Sequence, residues 1–203
     1  MTLFITAKDV QSVLTYPLSL KTVEAAFKAF GQGKAYQPPK SYLTFKYGDL
    51  RSMPAYINAP GMNIAGIKSV TVHPDNHKKF DLPTVMATIL LTDPRNGFNI
   101  AVLDGTHITN IRTGAAGGVA TKYLSRKNSK VMALIGAGAQ AYTQLHHIML
   151  TRKLKEVRVH ARSEASMNKF CVEMSKEYPK VTFLPKPDGK KACRGADIIT
   201  TTT

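Results

Sequence analysis

The 203-residue sequence predicts an α/β protein in two parts: a mixed α+β domain over residues 1–125, then an incomplete doubly wound parallel sheet of about four strands over residues 126–203. Three observations predict it. The apolar run Val131–Ile135 leads straight into Gly136-x-Gly138-x-x-Ala141 and an apolar helical stretch. After residue 130 the strand and helix periods alternate, as in successive βαβ units. Residues 41–104 break instead into short extended runs separated by turn clusters.

In chain order, Leu20, Val23, Phe27 and Phe30 mark one face of a helix over 18–30, stopped by Gly31 and Gly33. Strands are expected at 42–47, 52–57, 64–73, 85–92 and 100–104, with turns at Asn58–Gly61, Pro74–Asn76 and Asp93–Gly97. An Ala/Gly-rich helix over 113–124 has side chains small enough for a second element to pack closely. The second half reads strand 131–135, helix 139–151, strand 156–160, helix 164–177, strand 181–184, a short connection, and strand 197–201. The domain boundary is placed near Ser125–Ser129.

The glycine segment has the order that a dinucleotide pyrophosphate requires of a Rossmann-type sheet. Gly136 makes the sharp turn, Gly138 lets the backbone approach the phosphates, and Ala141 lets the helix lie on the strand. The N–H groups at the helix start then face the anion. NAD-preferring sites carry an acid after the second strand. Here Val157–His160 runs into Ala161-Arg162-Ser163, with no acid. Arg162 suits stacking on adenine or pairing with a 2′-phosphate, and Ser163 can donate to it. NADP(H) is therefore favoured, with NAD(H) the alternative.

Candidate substrate residues lie earlier. Lys68, on a strand, shares a face with Val70 and Val72, an unusual place for a lysine and one that suits proton transfer. Arg51 and Arg112, the latter read at the start of the Ala/Gly helix, each have the fork that binds a carboxylate. By pattern alone, Arg51 and Arg112 read better as ordinary surface arginines, and Lys68 reads better as an edge-strand residue pointing at water. His73 and His107 read as turn residues. No Ser/His/Asp or Cys/His arrangement supports hydrolysis, and no metal-ligand spacing occurs.

The net charge of +15 is uneven. Residues 1–120 hold 12 Lys and Arg against 7 Asp and Glu, and residues 121–203 hold 16 against 6. The excess suits an anionic cofactor, and the absence of interleaved aromatics or a nucleic-acid motif argues against nucleic acid. The start of the chain has no signal-peptide pattern, and no apolar run is long enough for a membrane. Cys171 and Cys193, in helical segments, read as neutral thiols in a reducing cytoplasm.

Together, Gly66-Ile-Lys-Ser-Val-Thr-Val-His-Pro-Asp-Asn76, Leu82-Pro-Thr-Val-Met-Ala87, Leu103-Asp-Gly-Thr106, Arg112-Thr-Gly-Ala-Ala-Gly-Gly-Val-Ala120 and Ile135-Gly-Ala-Gly-Ala-Gln-Ala141 resemble the ornithine cyclodeaminase/mu-crystallin family. The segments at His73–Asn76 and Arg112–Leu124 are most similar to its archaeal-type alanine dehydrogenases. The resemblance implies a homodimeric, NAD(P)-dependent enzyme acting at the amine-bearing carbon of a small amino acid. Interconversion of alanine with pyruvate and ammonia leads, followed by ornithine cyclodeamination, cyclic-ketimine reduction, and a mu-crystallin-like NADPH binder. It implies Lys68 as proton donor and acceptor, Arg51 and Arg112 as carboxylate ligands, and Arg112, Thr84, Ala139, Gln140, Thr201, Thr202 and Thr203 at cofactor-contacting positions. The family's catalytic aspartate and last strands lie beyond the fourth strand. A C-terminally truncated or inactive fragment is thus a further reading: it would bind cofactor weakly and turn over slowly or not at all.

Overall fold

A computed structural model describes all of residues 1–203. In chain order the elements are β1 (Leu3–Ile5), α1 (Ala7–Val13), α2 (Tyr16–Gly31), β2 (Ala35–Tyr36), β3 (Ser41–Phe45), β4 (Gly48–Ala59), β5 (Met62–Val72), α3 (Asn76–Lys79), β6 (Val85–Thr92), β7 (Asn99–Asp104), α4 (Thr106–Leu124), β8 (Val131–Ile135), α5 (Ala139–Thr151), β9 (Glu156–His160), α6 (Glu164–Glu177), β10 (Thr182–Pro185), α7 (Gly189–Cys193) and β11 (Ile198–Thr201). They form two compact units. One contains Met1–Thr15 and Glu24–Thr109, the other Tyr16–Val23 and Asn110–Thr203. The segment 125–129, where the sequence suggests a boundary, joins α4 to β8 inside the second unit.

The first unit is built on a seven-stranded mixed sheet in the order β1-β7-β6-β5-β4-β2, with β3 also paired to β4. The long β4–β5 hairpin runs in unbroken register from Asp49↔Val72 to Ala59↔Met62. Pro54 lies inside β4, yet its position is permissive. On the other edge of β4, β3 pairs with residues 48–52 and β2 with residues 56–57, so Pro54 sits in the gap between them. A strand tolerates a missing donor at such a gap. β4 thus extends the expected 52–57 strand at both ends, back to Gly48 and forward into the first two residues of the expected Asn58–Gly61 turn.

Several elements differ from the sequence expectation. β1 and α1 are additional. β1 pairs in parallel with distant β7, and α1 starts at a capping box in which Thr6 and Asp9 exchange hydrogen bonds. Pro74–Asn76 runs into the short helix α3 rather than a plain turn. α4 starts at Thr106, not 113. His107 is therefore helical rather than in a turn, and Arg112 lies in the second turn of α4, not at its start. The Thr106 hydroxyl accepts from the Ala87 N–H (3.0 Å), and the Thr106 N–H donates to the Asp104 carboxylate (3.1 Å), which fixes the helix start early.

The second unit holds a four-stranded, wholly parallel sheet in the order β10-β9-β8-β11. The order reverses between β8 and β11, which is where such sheets open a crevice at their C-terminal ends. Met132, Leu134, Leu145, Ile148, Val157, Val159 and Phe170 are all at most 1% exposed and form its core. The glycine-rich face of α4 packs on α5, as its composition implies. A Cβ at Gly114 would lie 2.6 Å from the Thr143 carbonyl carbon, and one at Gly118 would lie 2.8 Å from the His147 Cβ. Asp197, expected as the first residue of the last strand, precedes β11. Its carboxylate accepts from the Lys130 and Val131 N–H groups (2.7 and 2.9 Å), which ties the starts of β8 and β11 together. The 186–197 connection contains α7, capped by Asp188. Burial pushes the Cys171 thiol up to about 11, so it stays neutral. No helix is long and apolar enough to cross a membrane.

Candidate functional site

The first unit brings Arg51 and Lys68 to one face of its sheet. Arg51 lies opposite Val70 and Met53 opposite Lys68, and alternate residues of neighbouring strands share a face. The same register continues into β6, where Val70 faces Ala87 and Lys68 faces Ile89. Lys68 is thus part-buried among apolar neighbours, as its strand position suggests. Arg51 is not isolated. Its Nε and Nη2 donate to the two oxygens of Asp49 at 2.7 and 2.9 Å. Its guanidinium lies 5.2 Å from the centre of the Tyr42 ring, the cross-strand neighbour on β3. The Arg51 pair holds the Asp49 carboxyl below the usual range, and Asp49 in turn raises the arginine. Asp49 and Tyr42 escaped the sequence reading, although the i, i+2 spacing of Asp49 and Arg51 on a strand already places both on one face. Thr84 immediately precedes β6, and its carbonyl accepts from the His73 N–H (2.8 Å).

In the second unit the glycine turn has the shape that the sequence implies. Gly136 adopts φ +112°, a region closed to side chains. Its N–H donates to the His160 carbonyl (2.7 Å), tying the turn to the end of β9. A Cβ on Gly136 would run into Thr202, whose backbone N–H and hydroxyl both donate to the Ile135 carbonyl (2.7 and 3.1 Å). Gly138 is the N-cap of α5, offers no side-chain cap, and has only open space where a Cβ would point. The first turn of α5 therefore presents N–H groups toward open space, which fits a pyrophosphate. Ala141 is fully buried, as close contact of helix and strand requires.

Gln140 commits its side chain elsewhere: its Nε2 donates to the Asn110 side chain (3.1 Å), so its backbone N–H is what remains for an anion. Gln144 donates likewise to the Thr113 carbonyl (3.2 Å), and the two bonds fix α4 against the first turns of α5. Arg112, exposed on α4, is held below the ordinary arginine range by desolvation alone, with no carboxylate opposing it. A cation in that setting gains from an incoming anion. Arg162 is exposed at the end of β9, and Ser163 is the N-cap of α6, accepting from the Ser166 N–H (3.3 Å) with its hydroxyl proton still to donate. Thr201 and Thr203 are exposed at the end of β11.

The family model described as the ornithine cyclodeaminase/mu-crystallin family matches residues 1–203. Alanine dehydrogenase of Archaeoglobus fulgidus is 41% identical over 202 residues, covering 100% of this chain and 60% of the relative. A solved structure described as an archaeal alanine dehydrogenase dimer with bound NAD superposes with TM-score 0.92 at 42% identity, covering 100% of this chain and 60% of that one. Thermococcus litoralis Δ1-pyrroline-2-carboxylate reductase, in complex with NADH and L-proline, also gives TM-score 0.92, at 35% identity, with 100% and 62% covered. The chain thus spans about three fifths of the length of these relatives. The glycine cradle, the paired Arg51 and Lys68 strands and the match from the first residue to the last converge: the chain belongs to the ornithine cyclodeaminase/mu-crystallin family.

Proposed function

We propose that the whole protein is an NAD(P)-dependent oxidoreductase acting on the CH–NH2 or C=N group of a small amino acid, with alanine, pyruvate and ammonia as its reactants. The observation that carries this reading is the uncapped α5 N-terminus behind the open face of Gly138, in a chain that also sets Arg51 and Lys68 on one sheet face. The resemblance to alanine dehydrogenase supports the substrate, and the pyrroline-carboxylate reductase match keeps cyclic-imine reduction as the second reading.

The nicotinamide coenzyme, when bound, supplies hydride chemistry at the amine-bearing carbon. The N–H groups of Ala139 and Gln140 hold its pyrophosphate, and Arg162 and Ser163 receive a 2′-phosphate, so NADP(H) is preferred over NAD(H). Thr84 and the 201–203 threonines border the coenzyme, and Arg112 serves coenzyme and substrate anions. Arg51 binds the substrate carboxylate, and the Lys68 Nζ gives or takes the proton at the substrate nitrogen or carbonyl oxygen. The working form is a homodimer.

The test is fluorescence titration with NADPH and NADH, followed by assays with pyruvate plus ammonia, ornithine and cyclic imino acids. Saturable NADPH binding that Arg162→Ala weakens about tenfold or more, with NADH affinity unchanged, is expected for a lost charge-assisted contact. Absence of binding for both coenzymes removes the proposal. Hydride transfer to a cyclic imine but not to pyruvate plus ammonia moves it to the second reading.

A further inference from the structure

We infer that Lys186 is the second cation of the coenzyme's 2′-phosphate subsite, and that His160 is the residue that positions it. Together they make the adenosine end selective for a phosphorylated dinucleotide. The inference rests on the proposed placing of that phosphate at Arg162 and Ser163.

β10 runs parallel to β9, with Leu184 beside Arg158 and Pro185 beside Val159. Lys186 lies one residue beyond β10, and both of its backbone groups are bound to the end of β9. Its N–H donates to the Val159 carbonyl (2.8 Å), and its carbonyl meets the His160 Nδ1 at 2.9 Å. A carbonyl only accepts, so this Nδ1 carries the proton. The His160 carbonyl in turn accepts from the Gly136 N–H (2.7 Å). The imidazole also borders the start of α7, where a Cβ on Gly189 would lie 3.2 Å from the His160 Cδ2. One residue thus joins the glycine turn, Lys186 and α7, and Arg162 follows it two positions later. Dinucleotides bind beyond the C-terminal ends of such strands, and the residues after the second strand read the ribose 2′ position. His160 therefore fixes Lys186 beside the strand end at which that reading is made.

The side-chain chemistry agrees. Alternation along the paired strands puts Lys186 on the face of Arg158 and His160, opposite the fully buried Val157 and Val159. Lys186 is part-buried, and none of the chain's ion pairs includes it or Arg162. Two acids are near in sequence. Asp188 spends its carboxylate on the α7 N-terminus, accepting from the Lys190 and Lys191 N–H groups at 2.8 and 3.4 Å. Glu164 is exposed in the first turn of α6. Arginine clasps phosphate with its fork, whereas lysine serves it as a point charge, so the two cations divide one dianion between them. A 2′-hydroxyl gains little from either charge, and both therefore favour NADPH over NADH.

The experiment measures NADPH and NADH affinities of the full chain by fluorescence titration, in wild type, Lys186→Met, Lys186→Arg, His160→Leu and His160→Asn, with Arg162→Ala as the reference and a urea midpoint for each. Lys186→Met is expected to weaken NADPH about three- to tenfold, between the scales of an exposed ion pair and a charge-assisted hydrogen bond, with NADH unchanged. Lys186→Arg restores the preference. His160→Leu keeps the backbone bond to Gly136, loses the donor to Lys186, and lowers the preference for NADPH likewise. His160→Asn, which supplies an amide donor to the same carbonyl, restores it. A merely structural role for either residue would lower the urea midpoint or weaken both coenzymes equally. An unchanged preference in Lys186→Met, beside a reduced one in Arg162→Ala, overturns the inference and leaves the coenzyme reading intact. A wild type without preference for NADPH, unaltered by Arg162→Ala, removes that reading and the inference with it.

Discussion

Gly136 and Gly138 are two residues apart in one motif, but they are glycine for different reasons. Gly136 needs φ +112° and has Thr202 against its Cβ position. Gly138 has φ −90° and ψ −171°, a conformation open to alanine, with nothing near its Cβ position. Gly136→Ala therefore strains the backbone and should cost stability by about 1–3 kcal/mol. Gly138→Ala should fold with an unchanged denaturation midpoint and yet lose coenzyme affinity, because its methyl fills the space a phosphate takes. Loss of one charge-assisted hydrogen bond, about 1.5–3 kcal/mol, sets a roughly ten- to hundred-fold drop. Urea denaturation and NADPH titration of the same two variants check both halves. Equal coenzyme affinity in Gly138→Ala and wild type would show that the cradle is not used. At this scale the sequence was informative about backbone and silent about partners. Positive φ at Gly136 follows from the motif. That Asp49 grips Arg51, or that Gln140 turns its side chain to Asn110, depends on strand register and helix packing that no local spacing fully determines.

Among the elements, β8, α5, β9 and α6 have the bounds the sequence suggests, because each has a strong period and a sharp stop: Gly138 before α5, Ser163 before α6. β1 was illegible for a physical reason. Three residues carry no period, and their strand exists only through pairing with β7 far along the chain. The end of α4 shows a third case, a helix terminus satisfied from another element. Arg152, just beyond α5 and 8% exposed, donates to the carbonyls of Thr121, Lys122, Ser125, Arg126 and Thr151 and to the Ser125 hydroxyl, at 2.7–3.0 Å. These include carbonyls that the last turn of a helix leaves without partners. Arg152→Ala removes all of these bonds at once; the Thr121 and Arg126 carbonyls keep the Ser125 and Ser129 donors, and each acceptor left buried and unpaired costs about 1–3 kcal/mol. A loss of about 3 kcal/mol or more is expected by chemical denaturation. Lysine should rescue little, since one ammonium has three donors and no planar fork. Full rescue by lysine would mean that charge, not the fork, caps the helix.

At the scale of the molecule, acid is expected to destabilise this chain, and two adjacent histidines in the second unit are the reason. His147 is fully buried, its Nδ1 against the Thr143 carbonyl (2.6 Å) and its Nε2 against the Ser19 hydroxyl (2.8 Å). His146 stacks on Tyr16 at 4.4 Å and meets the Tyr178 hydroxyl at 2.7 Å. Burial pushes the Tyr178 phenol up to about 12, so it remains a donor and suits a neutral imidazole. Desolvation lowers the pKa of both histidines from 6.5; Glu177, 3.4 Å from His146, opposes the shift there, and at His147 the hydrogen bond with the Thr143 carbonyl opposes it while His146 adds to it. The unfolded chain thus takes up protons near pH 6.5 that the native chain still refuses. Stability is fully present above that pH and is lost as pH falls toward the depressed native values. The formal charge of +15 adds general repulsion as further groups protonate, but about 0.5 M salt screens that contribution and leaves the buried one. Urea midpoints should therefore fall between about pH 7.5 and pH 5.5 even in high salt, and His147→Gln should flatten the slope because glutamine cannot titrate. A midpoint that is level or rising toward acid, or a slope indifferent to His147→Gln, would show that these imidazoles already carry their protons in the native state.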